Sequence, residues 1–489
     1  MSVLRSVGGS VAVCALVLGT CSVPPAIPAQ DKTASAVDEV FADLTKAGSP
    51  GCAVAVYRNG RVSYSKGYGL ANIEEDVSIT PQTVFDIGST SKQFTASSVL
   101  LLEKQGKLSV NDDVRKYIPE LPDYGPKITI LHLLNHTSGL RDYLTLMDLA
   151  GINTDSVTTD EDALQIITRQ KALNFAPGSD WLYSNTGFFL LSIIVKRVSG
   201  KTLREFAAEN IFSPLGMTHT QFRDDHTTLI ANRAMAYDPK ELKDGYTLNV
   251  SYFEQTGDGA VHTSVEDLQK WDENFYSGQV GGRDFLTEIQ EPGKLNSGKV
   301  LDYAKGLRIA NYRGLHTVSH GGSWGGYRAE LLRFPEQHFS VACLCNRGDA
   351  APTRRAHQVA DIYLGSMMQP RSNEAHKEEK EQIINIVDMR ADSLAKFSGD
   401  FWSDELEVTY RFSMVNGRLR LNIIGADGGP RSVNIPPDGL LAGSHDVFRI
   451  GQERTFHFVR DAKGAPSGFT LDAGRTLGMV FTRRDGAEK

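Results

Sequence analysis

Apolar residues follow two different rhythms along this chain, and each predicts a different kind of unit. The run GCAVAVYRNGRVSYSKGYG, starting at Gly51, is continuously apolar through Tyr57 and turns at Asn59-Gly60. It returns as a mixed strand, the pattern of a hairpin. SAVDEVFADLTKAG just before it reads as a helix. Residues 107–310 carry mostly helical spacing broken by loops, as in ITILHLLNHTSGL, TDEDALQIITRQ, GFFLLSIIVKRVSGKTLREFAAENI and SVEDLQKWDENF. From Leu315 strand patterns resume with LHTVSHGG, GYRAELLRF, a PEQH turn and FSVACLCN, before the helix TRRAHQVADIYLGSMM. Strands at both ends of residues 30–368, with helices between, predict one sheet built from both ends and covered by helices.

The second rhythm begins after the charged run NEAHKEEKEQ, which reads as a solvated linker within residues 369–390. There the period becomes two: Leu406, Val408, Tyr410 and Phe412 alternate with polar neighbours, and Asn416-Gly417 makes the next turn. Short strands continue to FTRR. Residues 391–489 are expected to form a separate antiparallel β domain, a small closed barrel. The fold class is α+β.

A chain of 489 residues exceeds one ordinary domain, and 40% hydrophobic with 23% charged residues describes a globular protein with ample core. The net charge is −7 and no basic stripe with interleaved aromatics occurs, which excludes nucleic acid as a partner. At the start, Arg5 precedes an uncharged run with the apolar centre VAVCALVLG and small residues ending at Ala29. That is the layout of a secretory signal over residues 1–29, so a secreted or periplasmic protein is expected. The run is broken by Gly, Ser and Pro and is short for a stable membrane span. A lipid anchor at Cys21 is the alternative, with Thr20 a poor residue to precede it. Cys52, Cys343 and Cys345 lie beyond the signal. The last two are two apart in a strand and share a face, so at most one disulfide with Cys52 fits, and buried free thiols are the alternative.

Three Ser-x-x-Lys strings occur: Ser63 to Lys66, Ser89 to Lys92 and Ser393 to Lys396. On a helix a serine and a lysine three apart are neighbours, and a lysine there can activate a serine nucleophile. Ser63 and Lys66 are on a strand, where an odd spacing puts them on opposite faces. Ser393 and Lys396 sit at the domain joint with no partner motif. Ser89 follows Gly88 and opens a helix, whose dipole favours a developing anion. Two further elements follow in order. In FAPGSDWLYSNTG, the loop bracketed by glycines carries Tyr183 and Asn185 towards a cleft. In TVSHGGSWGGYRAE, four glycines among six residues let a ligand approach a strand backbone, with His320 as a donor to a substrate carbonyl or carboxylate.

Rival motifs fail on context. GGSWG from Gly321 fits a nucleophile elbow, but the elbow needs strand–turn–helix, and GYRAELLRF continues as strand. SGKT at Ser199 lacks the glycine a phosphate loop needs, with Val195 in its place. His132 and His136 have helical spacing without a third ligand motif, and read as helix and loop structure rather than a metal site.

With the three elements in order, the chain resembles the serine β-lactamase and penicillin-binding-protein-like hydrolases, peptidase family S12, over residues 37–368. FDIGSTSKQFTA, ITILHLLNHTSGL, FAPGSDWLYSNTG, GDGAVHTSVEDLQKW and HGGSWGGYRAELLRFPE carry the resemblance. It implies a three-layer α/β/α domain joined to an all-helical cluster, with the site between them. The C-terminal segment resembles the lipocalin-like barrels of some members, including D-aminopeptidase-like enzymes. By the same resemblance Ser89 is the nucleophile, Lys92 handles its proton and Tyr183 is the general base. Asn185 holds the substrate amide carbonyl, Gly322 lies on the substrate-binding strand, and the backbone N–H groups of Ser89 and Ser323 form the oxyanion site. The reaction would need neither metal nor cofactor, and the partner would be a small peptide, amide or ester. β-Lactamases and most DD-peptidases carry Lys-Thr-Gly where this chain has His320-Gly321-Gly322. Lysine is a permanent cation, whereas histidine is mostly neutral at pH 7. The substitution points to aminopeptidase- or esterase-like hydrolysis with slow penicillin turnover. The competing class is a non-catalytic ligand-binding protein, which would need none of Ser89, Lys92 and Tyr183.

Overall fold

The computed structural model describes residues 29–152, 156–240, 244–370, 389–431 and 440–484. Residues 1–28 of the expected signal, with Cys21, and residues 371–388 of the expected linker lie outside them. No helix among the described residues is long and apolar enough to cross a membrane.

The central sheet is antiparallel and joins both ends of the first unit, as the sequence pattern predicts. Its strands are β1 (Cys52–Arg58), β2 (Arg61–Tyr68), β3 (Tyr303–Ala304), β4 (Leu307–Tyr312), β5 (Leu315–Trp324), β6 (Tyr327–Phe334) and β7 (Phe339–Cys345), in the order β3-β4-β5-β6-β7-β1-β2. The β1–β2 turn is Asn59-Gly60, both left-handed at φ 50° and 72°, which matches the twist of a tight hairpin. Strand β1 is apolar from Cys52 to Tyr57 because both of its faces are covered there. Cys52, Val54 and Val56 pack with Val37 of α1 (Ala29–Val40), with Phe41 just after it, and with Ala356 and Val359 of a helix near the end of the unit. That helix spans Pro352–Leu364. Ala53, Ala55 and Tyr57 face the opposite core, with Phe94 of α2 (Lys92–Lys104) and with Leu268 and Trp271 of the helix Val265–Ser277. Alternation along a strand therefore builds the three layers. Cys52 and Cys345 are direct cross-strand partners and are joined by a disulfide, leaving Cys343 as a buried free thiol on the same face. Strands β3 and β4 precede Leu315, where strand pattern was expected to resume. Most β4 side chains are not buried, so they give little apolar signal.

The helical cluster lies beside α2. It contains α3 (Ile130–Leu134), α4 (Tyr143–Leu149), α5 (Asp160–Thr168) and α6 (Asn185–Ser199), which ends at left-handed Gly200. The string SGKT is thus the end of a helix, where glycine takes φ 73°.

The C-terminal unit is an antiparallel sheet of nine strands among the described residues: β8 (Gly399–Ser403), β9 (Val408–Val415), β10 (Arg418–Gly425), β11 (Pro430–Arg431), β12 (Leu441–Ala442), β13 (Val447–Ile450), β14 (Arg454–Arg460), β15 (Pro466–Ala473) and β16 (Thr476–Arg484). Their order is β11-β10-β9-β8-β16-β15-β14-β13-β12. Leu406, Val408, Tyr410 and Phe412 are buried, as the period of two requires. Phe412 on β9 lies 5.7 Å from Phe458 on β14, four strands away. In a flat sheet those strands would be about 19 Å apart, so the sheet curls over an aromatic core. It forms a half-barrel rather than the closed barrel expected. Among the described residues its end strands β11 and β12 do not pair with each other, although the Leu440 N–H reaches the Leu419 carbonyl at 3.3 Å.

This half-barrel is fastened to the helical cluster. Arg141 is buried and donates to Glu405 (2.8 Å), to Gln170 (3.1 Å) and to the carbonyls of Leu477 and Gly478 (3.1 Å each). The Tyr410 hydroxyl donates to the Leu149 carbonyl at 2.8 Å, and Arg454 pairs with Asp148.

Candidate active site

Ser89 sits in a 3-10 turn, Gly88–Ser91, which runs directly into α2. The turn is pressed against β5. Gly88 takes φ 48°, and a Cβ there would meet the Ser323 nitrogen at 2.7 Å. A Cβ on Gly322 would stand 1.9 Å from the Ile87 carbonyl oxygen. Only glycine permits this approach from either side. The Thr90 hydroxyl donates to the His320 carbonyl (3.1 Å), and Ser91 accepts from the Val261 N–H (3.0 Å), so the turn is held on two sides.

The spacing of three brings Lys92 Nζ to 3.1 Å from Ser89 Oγ. Lys92 is fully buried and also donates to Asn185 Oδ1 (2.9 Å) and to the Asp258 carbonyl (2.6 Å). Those three acceptors match the three N–H bonds of an ammonium. Asn185 opens α6, and its N–H donates to Asp142 at 2.6 Å. With Oδ1 taken by Lys92, the amide NH2 of Asn185 is the end left for a ligand. The Asp258 side chain accepts from the Tyr143 hydroxyl at 3.1 Å. Burial pushes its carboxyl up to about 7, with Lys92 pulling the other way.

Ser89, Lys92 and Asn185 are therefore hydrogen-bonded together, whereas Tyr183 joins them by packing alone. Its ring centroid is 5.0 Å from Lys92 Nζ, and its buried hydroxyl makes no hydrogen bond among the described residues. Catalytic hydrogen bonds often tighten only when substrate binds. The ring rests on His136 (4.2 Å between centroids), a residue in left-handed conformation. His136 Nδ1 accepts from the Ser184 N–H, and burial pushes its pKa well below the usual value. His132 closes the capping box of α3. The two histidines thus have separate structural roles.

His320 is buried on β5. Its Nδ1 lies 2.6 Å from the Gly321 carbonyl, which only accepts, so this nitrogen carries the proton. Nε2 then accepts from the Tyr303 hydroxyl at 3.1 Å. Burial, reinforced by Lys92, pushes the imidazole down to about 3. His320 is neutral and both of its nitrogens are engaged, so it offers a substrate no spare N–H, although the sequence suggested it as a donor. Ser323 lies within β5, which continues into β6, so the rival elbow has no helix. Of the other serine–lysine strings, Ser63 bonds back to the Val56 carbonyl while Lys66 pairs with Asp38.

These elements enclose a cavity of about 890 Å³, lined by Ser89, Tyr183, Asn185, His320, Gly322 and Ser323. Trp181 and Arg475 line it as well. Arg475 comes from the turn between β15 and β16, some 290 residues beyond Tyr183, and no local motif marks it.

Comparison with known proteins agrees with this geometry. The Beta-lactamase family matches residues 37–364. Penicillin-binding protein 4* of Bacillus subtilis is 31% identical over 392 residues, covering 76% of this chain and 85% of that protein. A D-aminopeptidase of Gluconobacter oxydans is 29% identical over 322 residues, covering 66% of this chain and 60% of that protein. In fold, the octameric penicillin-binding protein homologue from Pyrococcus abyssi covers 93% of this chain and 99% of its own at 23% identity, with a TM-score of 0.61. The D-amino acid amidase from Ochrobactrum anthropi covers 68% and 99% at 22% identity, with a TM-score of 0.58.

Proposed function

The chain belongs to the Beta-lactamase family and is a serine hydrolase, and on that premise we propose that it cleaves small amides or esters through an acyl-enzyme on Ser89. The observation that carries the assignment is Lys92 Nζ at 3.1 Å from Ser89 Oγ at the base of the cavity. Ser89 Oγ attacks the carbonyl while its proton passes to Tyr183, which reacts as the phenolate beside the Lys92 ammonium. The oxyanion is received by the backbone N–H groups of Ser89 and Ser323, each such donor contributing about 3 kcal/mol to the transition state. Tyr183 returns the proton to the leaving group, and the Asn185 amide holds the substrate carbonyl. Water then hydrolyses the ester on Ser89. We assign the substrate side to the D-aminopeptidase, amidase and esterase members. The reason is His320, a neutral group where β-lactam-hydrolysing members have lysine. Secretion is part of the same proposal, from the signal-like start of the sequence. Initial rates on D-amino-acid amides, p-nitrophenyl esters and nitrocefin test the substrate reading. Amide or ester turnover with slow nitrocefin cleavage is expected. Nitrocefin cleavage at ordinary enzymatic rates, without amide or ester turnover, overturns it.

A further inference from the structure

We propose that Arg475, carried into the cleft by the C-terminal half-barrel, is a specificity-determining residue that receives a carboxylate of the substrate. This rests on the Ser89 reading and adds a class to it: small amides or esters bearing an anionic group beside the scissile bond. Arg475 lies outside the family match, which ends at residue 364.

Its placement is fixed by backbone rather than by chance rotation. The β15–β16 turn passes through Gly474 at φ 50°. The Arg475 carbonyl accepts from Asn174 Nδ2 (3.0 Å) and from the Asp142 N–H (3.4 Å). The Leu477 N–H donates to Asn174 Oδ1 (2.9 Å), and Arg141 holds the carbonyls of Leu477 and Gly478. So anchored, the side chain reaches the cavity with its guanidinium 4.7 Å from the Tyr183 ring centroid.

The guanidinium lies over the Tyr183 ring and forms a long ion pair with Asp142, which leaves its N–H bonds free for a further acceptor. It donates no hydrogen bond among the described residues, and the nearest carboxylate oxygen, on Asp142, is 4.0 Å away. That oxygen already accepts from the Asn185 N–H. Arg308 and Arg328 also line the cavity, and Arg328 donates to the Gly325 and Tyr327 carbonyls. Lys92 is saturated by three acceptors, and His320 is neutral with both nitrogens bonded. Arg308 pairs with Ser319 across β4 and β5, on the face that Gly321 shares with Glu330 rather than the face of His320.

A second observation points the same way. Beside Tyr183, the Trp181 Nε1–H and His136 Nε2 are buried without a hydrogen-bond partner, and the His136 and Trp181 rings are 6.2 Å apart. Because His136 Nδ1 accepts from Ser184, Nε2 is the protonated nitrogen. Orphaned donors beside a cavity call for an acceptor. A guanidinium fork with unused N–H bonds fits a carboxylate, which it can hold by two parallel bonds.

Boronic acids that add to Ser89 test this without depending on amide turnover. Affinities of phenylboronic acid and of its 3- and 4-carboxy derivatives are measured by calorimetry for wild type, Arg475→Ala and Arg475→Lys. Melting temperatures check that each variant is folded. At least one carboxylated compound should bind wild type about tenfold tighter than the parent, the scale of one charge-assisted hydrogen bond. Arg475→Ala should abolish that advantage and Arg475→Lys should keep part of it, read in each variant as the ratio of carboxylated to parent affinity. A merely structural role would weaken all three compounds alike. The inference is overturned if no carboxylated compound is preferred, or if the preference survives Arg475→Ala. Absence of any Ser89-dependent boronate binding instead refutes the nucleophile assignment on which it rests.

Discussion

Replacing Arg141 by methionine deletes the guanidinium that joins the helical cluster to the half-barrel while keeping most of the side-chain bulk. Arg141 and Glu405 are 2% and 6% exposed, so the perturbation strands a buried carboxylate rather than breaking a surface pair. Removing one partner of a buried pair costs about 3–5 kcal/mol, mainly through the unpaired charge left behind. Glu405 keeps one donor, the Lys171 N–H at 2.6 Å, which places the expected loss near the lower bound, about 3 kcal/mol. The bonds lost to Leu477 and Gly478 are partly exposed, so water replaces them at little further cost. Adding Glu405→Gln removes the stranded charge and should recover about 1–2 kcal/mol, so the double variant is more stable than the single one. Urea unfolding followed by circular dichroism measures all three proteins. A loss under about 1 kcal/mol, or a double variant no better than Arg141→Met, would refute the claim that this pair fastens the half-barrel.

The glycine at 322 and the buried acid at 330 give two further tests. Gly322→Ala should lower kcat/KM by about 100-fold, because a Cβ 1.9 Å from the Ile87 carbonyl must push β5 away from the Ser89 turn. Near-normal ester turnover in a folded variant would show that the contact does not position the site. Burial pushes the Glu330 carboxyl from 4.5 to about 7 in the folded state. Its contribution is fully present below the unfolded value and is lost as pH rises through about 7. Glu330→Gln removes this dependence, so between about pH 5 and pH 8 the variant should gain roughly 2–3 kcal/mol relative to wild type. A stability difference independent of pH would contradict the assignment.

The sequence exposed those parts of the fold and site that rest on local spacing. The Asn59-Gly60 hairpin, the sheet drawn from both ends and the alternation from Leu406 to Phe412 all follow from short-range pattern, as does the meeting of Ser89 with Lys92. Strand β4 escaped because most of its side chains are not buried, and β3 because two residues are too short to show a period. Closure of the C-terminal sheet was over-read, since alternation fixes which face is buried but not whether the end strands meet. His320 was legible as a departure from lysine. Its engaged state depends on Tyr303, whose hydroxyl no pattern places beside it. Arg475 carries no motif at all. It enters the cleft only because Arg141 and Asn174 dock a hairpin from the other unit, a contact made across about 300 residues of chain.

Intact mass spectrometry of wild type and Ser89→Ala after brief exposure to p-nitrophenyl esters and D-amino-acid amides tests the central claim most directly. The account predicts a single acyl adduct on the wild-type protein, located on Ser89, and neither adduct nor turnover in Ser89→Ala. Adducts or hydrolysis that persist in Ser89→Ala would contradict it.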